Sequence, residues 1–431
     1  MMRRMGRRLP AVLCSLLLLT AVARGAPPQL PPVEIVPDVT PGVPTVARVT
    51  RATSAPKHHF VGYYGITPWD AAGARVACLE SEVGDRLVQA ADRASICLVD
   101  TSTRTLTRVA ETRAWNLQQG AMLHWLPTAP DRELAFNDRV DGRLVSVILD
   151  VKTNRRRVLD RPLAAISPDG KTGISLNYDR LRQIRPVTGY AGGAATSPLV
   201  PRPADDGLFL VDLATGNSKL LVSVDQACRT VAPPETIAQQ PFWLEHAHFS
   251  RGGSRVFLLA RAFDPKSRQL VSLPLTVAPN GESLQPLLPW AVQGASHFDW
   301  LDDRRLVLTR QHAPNKWHHL LIDTADPDGA KSQILAADVL ARDGHCTFSP
   351  DGRWMVTDTY PDENRRQHLF LLNVATGVAA RVASFHTPPE YRGDWRCDLH
   401  PRWSRDGRQI CIDSTHEGLR QVYVIDLNLP G

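Results

Sequence analysis

Seven segments of the chain carry one short signature: an aromatic or branched apolar residue, a turn of Ser, Asp and Gly type, then an apolar strand. They read TPWDAAGARVACLES, LHWLPTAPDRELAFND, AAISPDGKTGISLNY, AHFSRGGSRVFLLAR, FDWLDDRRLVLTR, CTFSPDGRWMVTD and PRWSRDGRQICIDS. The anchors are Trp69, Trp125, Ile166, Phe249, Trp300, Phe348 and Trp403, spaced by 56, 41, 83, 51, 48 and 55 residues. Most anchors are followed by a second pair of alternating strands, as in GLFLVDLATGNSKLLV and QHLFLLNVATGVAARV. Four antiparallel strands in roughly 50 residues make one propeller blade, a unit that buries its faces only by stacking on its neighbours. The expectation is all-β: a single seven-bladed β-propeller over residues 44–431. The long gap before Phe249 marks an insertion near residues 178–205. The last strand, QVYVIDL, needs an N-terminal partner such as PTVARVT to remove an open sheet edge.

The first 23 residues carry Arg3, Arg4, Arg7 and Arg8 ahead of a short apolar run and a small-x-small site, Ala21-Val22-Ala23. This is the pattern of a secretory signal peptide; a lipoprotein signal acylated at Cys14 is the rival, with few apolar residues before it. A Pro-rich lead-in over 24–43 follows. The expected location is therefore outside the cytoplasm, periplasmic or secreted. Four charges of the formal +6 leave with the signal, and the remaining +2 gives no reason to expect nucleic acid. No later stretch is apolar for long enough to span a bilayer.

Histidines recur in phase with the repeat. Three residues before the anchor stand His246 in HAHF, His297 in HFDW, His345 in HCTF and His400 in HPRW. The position lies on the innermost strand, which lines the central channel, so the four imidazoles should converge at one mouth. The next strand returns to that mouth and places Arg261, Arg310, Asp358, Asp413 and, in blade two, Asn137 beside them. The insertion NYDRLRQIRPVTGYAGG can reach over the funnel with Tyr178, Arg182, Arg185 and Tyr190, while blade one adds His59, Tyr63 and Tyr64, and blade two His124. Such a ring suits a charged, hydrophilic ligand.

Cys397-x-x-His400 with His345 one blade away offers a thiolate and two imidazoles, a set that suits Zn²⁺ better than Mn²⁺ or Ca²⁺. Cys346, Asp358 or water could complete it. Cys78 and Cys411 read as core, and Cys97 could pair with Cys78. A GxSxG elbow, a Walker or Rossmann glycine pattern and HExxH are all missing.

The SPDG and DLATG turns resemble those of TolB-like propellers. Together with the channel histidines, the repeat resembles oligogalacturonate lyase and the related seven-bladed ulvan lyases. That resemblance puts His345 and His400 on metal-ligand positions, Cys397 where the pectin-type enzyme uses an amide, Arg402 where it has a further His, and His297 near its catalytic base. It implies β-elimination on a uronic acid polymer, an anionic polysaccharide or oligosaccharide. A base removes the C5 proton, the adjacent carboxylate is neutralised, and an acid protonates the leaving oxygen. His297, His124 or His246 could serve as base, Arg261 or Arg182 as neutraliser and Tyr190 as acid, with His59, Tyr64, Asn137, Arg182 and Arg310 contacting the sugar. The alternative is a non-catalytic propeller that binds a glycan or a protein partner and keeps zinc as a structural staple. The sequence is silent on oligomeric state.

Overall fold

The structure is a computed structural model describing residues 31–430 except 38, 194–198, 293, 327 and 328. The signal peptide expected over 1–23, with Cys14, lies outside these residues. Seven antiparallel sheets form the blades of one propeller, occupying residues 58–112, 124–159, 165–223, 243–286, 295–335, 346–386 and 402–428. Thr45–Arg51 is the outer strand of blade 7, pairing from Thr45 opposite Asn428 to Arg51 opposite Tyr423. The ring thus closes as the edge argument requires. Within the lead-in, Val33–Ile35 adds a fifth strand to the rim of blade 6, Val33 opposite Phe385.

The turn chemistry explains the repeat. In blade 6 the Ser349 hydroxyl donates to Asp351 Oδ1 at 2.6 Å and accepts the Trp354 N–H at 3.0 Å. Gly352 then takes a φ of 70°, where a side chain would be strained. The same arrangement joins Ser167 to Asp169 and Ser404 to Asp406. Six of the seven anchors end an innermost strand. Trp69 instead forms an isolated bridge with Val76, well past the innermost strand His58–Phe60. Two anchors also tie one blade to the one before: Trp125 Nε1 donates to Pro68 O at 2.9 Å, and Trp403 Nε1 to Thr347 O at 3.1 Å. The core lies between blades. Phe60, Trp115, Trp125 and Phe136 fill the contact of blades 1 and 2, and Trp354, Leu371, Trp403 and Ile412 that of blades 6 and 7.

The excess length before Phe249 has two sources. One is the expected insertion in blade 3, which begins with the helix Tyr178–Ile184, capped by Asn177 accepting the Arg180 N–H at 2.9 Å. The other is a helical connection that the sequence pattern does not mark: the helices Val224–Val231 and Glu235–Ala238 join blade 3 to blade 4. Among the described residues no helix is long and apolar enough to cross a membrane.

Candidate functional site at the channel mouth

The four repeat-phase histidines line one cavity of about 100 Å³, shared with Tyr63 and Tyr360. Backbone irregularities aim them there. Sheet register shifts between Glu245 and His248 in blade 4, and between Ala295 and Phe298 in blade 5. His246 and His400 adopt φ values of 55° and 47°. Left-handed backbone at a non-glycine residue is costly and concentrates at functional sites. The His297 and His345 rings lie 4.0 Å apart between centroids, and His345 and His400 4.1 Å apart. Tyr64 lines the cavity and packs against His297, His345 and His400, and its hydroxyl accepts the Phe298 N–H at 3.2 Å.

Each histidine has a buried carboxylate beside it. His297 Nδ1 lies 3.0 Å from Asp343 Oδ1, which also accepts the Thr309 hydroxyl at 2.7 Å. Burial opposes the Asp343 charge, but His297 and Thr309 outweigh it and hold the carboxyl at about 2. An ionised Asp343 fixes the proton of His297 on Nδ1 and turns Nε2, as a lone pair, toward Tyr360 Oη at 3.5 Å. Burial, with the neighbouring His345, keeps the His297 pKa below its ordinary value, so the ring is neutral near pH 7. Burial keeps the Tyr360 hydroxyl protonated.

His345 Nδ1 contacts Asp358 at 2.9 Å. Asp358 also takes the backbone N–H of His345 at 2.7 Å and that of His400 at 3.0 Å. His246 Nε2 lies 3.6 Å from Glu245, which is ion-paired with Arg261. Burial lowers the Arg261 pKa to about 9.

One group among the described residues could hold a metal ion. The ligand atoms of His345, Asp398 and His400 lie within 4.8 Å of one another. Asp398 Oδ1 accepts Arg396 Nε at 2.8 Å, while Oδ2 is buried with no hydrogen-bond partner. A buried carboxylate oxygen left without a donor beside two imidazoles fits a divalent cation.

Cys397 does not join this group. It is fully buried, and burial pushes its thiol up to about 12. Asp398, its neighbour, points to the histidines instead. Cys346, Cys78, Cys97 and Cys411 are likewise buried thiols, with Cys78 directly opposite Cys97 in the sheet.

The remaining sequence candidates fall into two sets. His246, Arg261, Tyr63, Tyr64 and Arg185 line the cavity with His297. The others lie elsewhere. Tyr190 is fully buried, stacked on Tyr178 with ring centroids 4.4 Å apart, and bonded to Asn137 at 3.1 Å. Asn137 spends its other bonds on Leu163 and Ser146. His124 is buried, with its pKa lowered to about 3 by burial and the neighbouring His248. His59 sits between Glu80 and Gln421, each at 3.2 Å. Arg182 donates to the carbonyls of Val88 and Pro186 at 3.0 Å. Arg310 is half-buried on blade 5 outside the cavity.

Asp343, Asp398, Tyr360 and Arg396 escaped the sequence reading. A signal for two of them was present: Asp343-Gly-His345 and Asp398-Leu-His400 put a carboxylate two residues before the repeat-phase histidine, in consecutive blades.

No family model matches the chain, and no curated protein matches it. Among solved structures, an oligogalacturonate lyase in complex with manganese superposes with a TM-score of 0.63. It covers 92% of this chain and 97% of its own at 17% identity. A second oligogalacturonate lyase, from Vibrio parahaemolyticus, gives 0.61 over 91% and 96% at 15% identity. TolB from Acinetobacter baumannii gives 0.40 over 72% and 63% at 15% identity. The likeness is one of fold. The two lyases share this propeller over nearly their whole lengths.

Proposed function

We propose that the protein is a lyase that cleaves an oligosaccharide or polysaccharide containing uronic acid by β-elimination, working from the cavity at the channel mouth. The observation that carries this reading is the pair His297 and Asp343: a neutral imidazole in the cavity, oriented by a buried carboxylate, with Nε2 turned toward Tyr360 Oη. This is the equipment of a general base. His297 takes the C5 proton of the uronate. The electron pair left behind forms the C4–C5 double bond as the C4–O bond breaks. Tyr360, protonated and 3.5 Å from the base, delivers a proton to the departing oxygen.

His345, Asp398 and His400 would hold a divalent cation. Bound there, the cation supplies positive charge that makes a carbon next to a carboxylate more acidic. A set of two imidazoles and one carboxylate admits Zn²⁺ or Mn²⁺, and without the thiolate the special case for zinc weakens. Export through an N-terminal signal would bring the protein to the compartment where such polymers occur.

Incubating the purified protein with a panel of uronate polymers and oligomers, and recording the ultraviolet absorbance of the unsaturated product, tests the reading. Product with at least one uronate is expected. Binding without product on every substrate would leave a glycan-binding propeller with a structural metal.

A further inference from the structure

Three guanidinium groups line the cavity, and two are already neutralised. Arg261 is paired with Glu245, and Arg396 with Asp398 at 2.8 Å. Arg185 has no ion pair among the described residues, and its Nε is buried without a hydrogen-bond partner. An arginine left this way in a low-dielectric site is costly unless an anion completes it.

The placement of Arg185 is built. It follows the last turn of Tyr178–Ile184, and its own N–H donates to Leu181 O at 2.7 Å. The insertion is fastened on several sides. Asp179 pairs with Arg139 at 2.6 Å, and Arg180 donates to Phe242 O and Pro201 O. Arg182 bonds Val88 O, and the Thr188 hydroxyl bonds Glu245 Oε2 at 3.1 Å. These contacts reach blades 1, 2 and 4 and hold the turn at Arg185 over the cavity.

We propose that Arg185 is the residue that recognises the substrate's charge, binding the carboxylate of one uronate at the cavity mouth. The fork of a guanidinium matches a carboxylate with two parallel hydrogen bonds, which a neutral sugar cannot offer. The proposal rests on the reading of the cavity as an anionic-sugar site, and it does not require that the site be catalytic.

The test is titration calorimetry of the purified protein with digalacturonate and with its methyl ester, in wild type, Arg185→Met and Arg185→Lys. Wild type is expected to prefer the acid by about tenfold or more, the size of one charge-assisted bond. Arg185→Met should lose that preference while keeping the affinity for the ester and the melting temperature, and Arg185→Lys should keep part of it. An undiminished preference in Arg185→Met would overturn the proposal, as would failure of wild type to bind either sugar. The two readings separate cleanly. A wild type that prefers the acid through Arg185 but makes no unsaturated product sinks the lyase alone. Product formed with the acid preference intact in Arg185→Met sinks the role of Arg185 alone.

Discussion

Asp358 of blade 6 accepts the backbone N–H of His400 of blade 7 at 3.0 Å while holding the His345 ring at 2.9 Å. One carboxylate therefore ties the His345 ring to the backbone of His400 across two blades, and it does so from a fully buried position. An amide keeps the shape but not the charge. Asp358→Asn should cost about 1–3 kcal/mol of stability. It should also weaken metal binding by about 10–100-fold, as loss of a supporting carboxylate does elsewhere. Thermal melts and metal titrations of the variant check both.

The metal position makes a contrast between neighbours. Asp398→Asn should lose about one equivalent of divalent metal after dialysis, because it removes the charge of the one oxygen without a partner. Cys397→Ser should retain the metal, since the thiol lies outside the group. Elemental analysis of the two variants decides between Asp398 and the thiolate suggested by Cys397-x-x-His400. Metal lost from Cys397→Ser and kept in Asp398→Asn would reverse the assignment.

For the proposed base, His297→Ala should abolish formation of unsaturated product with metal content unchanged. Asp343→Asn should lower turnover by about 10²–10⁴-fold, because the proton is no longer fixed on Nδ1. Full activity in His297→Ala would move the base to His246, which shares the cavity.

Acid should unfold the protein through buried histidines that are not themselves members of the metal group. Burial holds His58, His319 and His416 each at about 4. The unfolded chain takes up these protons near the ordinary value of about 6.5. Stability is therefore full above about pH 6.5 and falls as the pH drops toward 4. For the fully buried His319, the gap is worth at most about 3 kcal/mol. Melting temperatures recorded from neutral pH to about pH 4.5 should fall, and His319→Gln should flatten the slope. A flat profile would show these rings to be charged in the folded state.

The fold was legible because a propeller repeats its own instructions. Ser349, Asp351 and Gly352 build a turn that recurs with the same bonds in blades 3 and 7, and each copy makes the next easier to read. The phase of the four histidines was legible for the same reason. The partners were less so. In the sequence Cys397 stands out as the ligand because sulfur beside histidine is a familiar pattern, whereas which of two adjacent residues faces the axis depends on local backbone at the inner strand. The neighbouring φ of 47° at His400 is such a local departure. Tyr190 was misplaced on different grounds. A tyrosine in an insertion looks exposed, yet this one stacks on Tyr178 and caps the polar end of Asn137. Helices joining blades 3 and 4 left only an unexplained excess of residues.

The closing strand Thr45–Arg51 belongs to blade 7 and the strand Val33–Ile35 to blade 6. His345 leads directly into the innermost strand of blade 6, and Asp398 and His400 into that of blade 7. A single short stretch of chain thus buckles, at the rim, the seam whose inner end carries the metal group. Cutting that stretch would leave every cavity residue chemically intact and still loosen the frame that keeps them in register. A protease cutting between Ile35 and Thr45 would then have a way to disturb the site from the perimeter of the propeller.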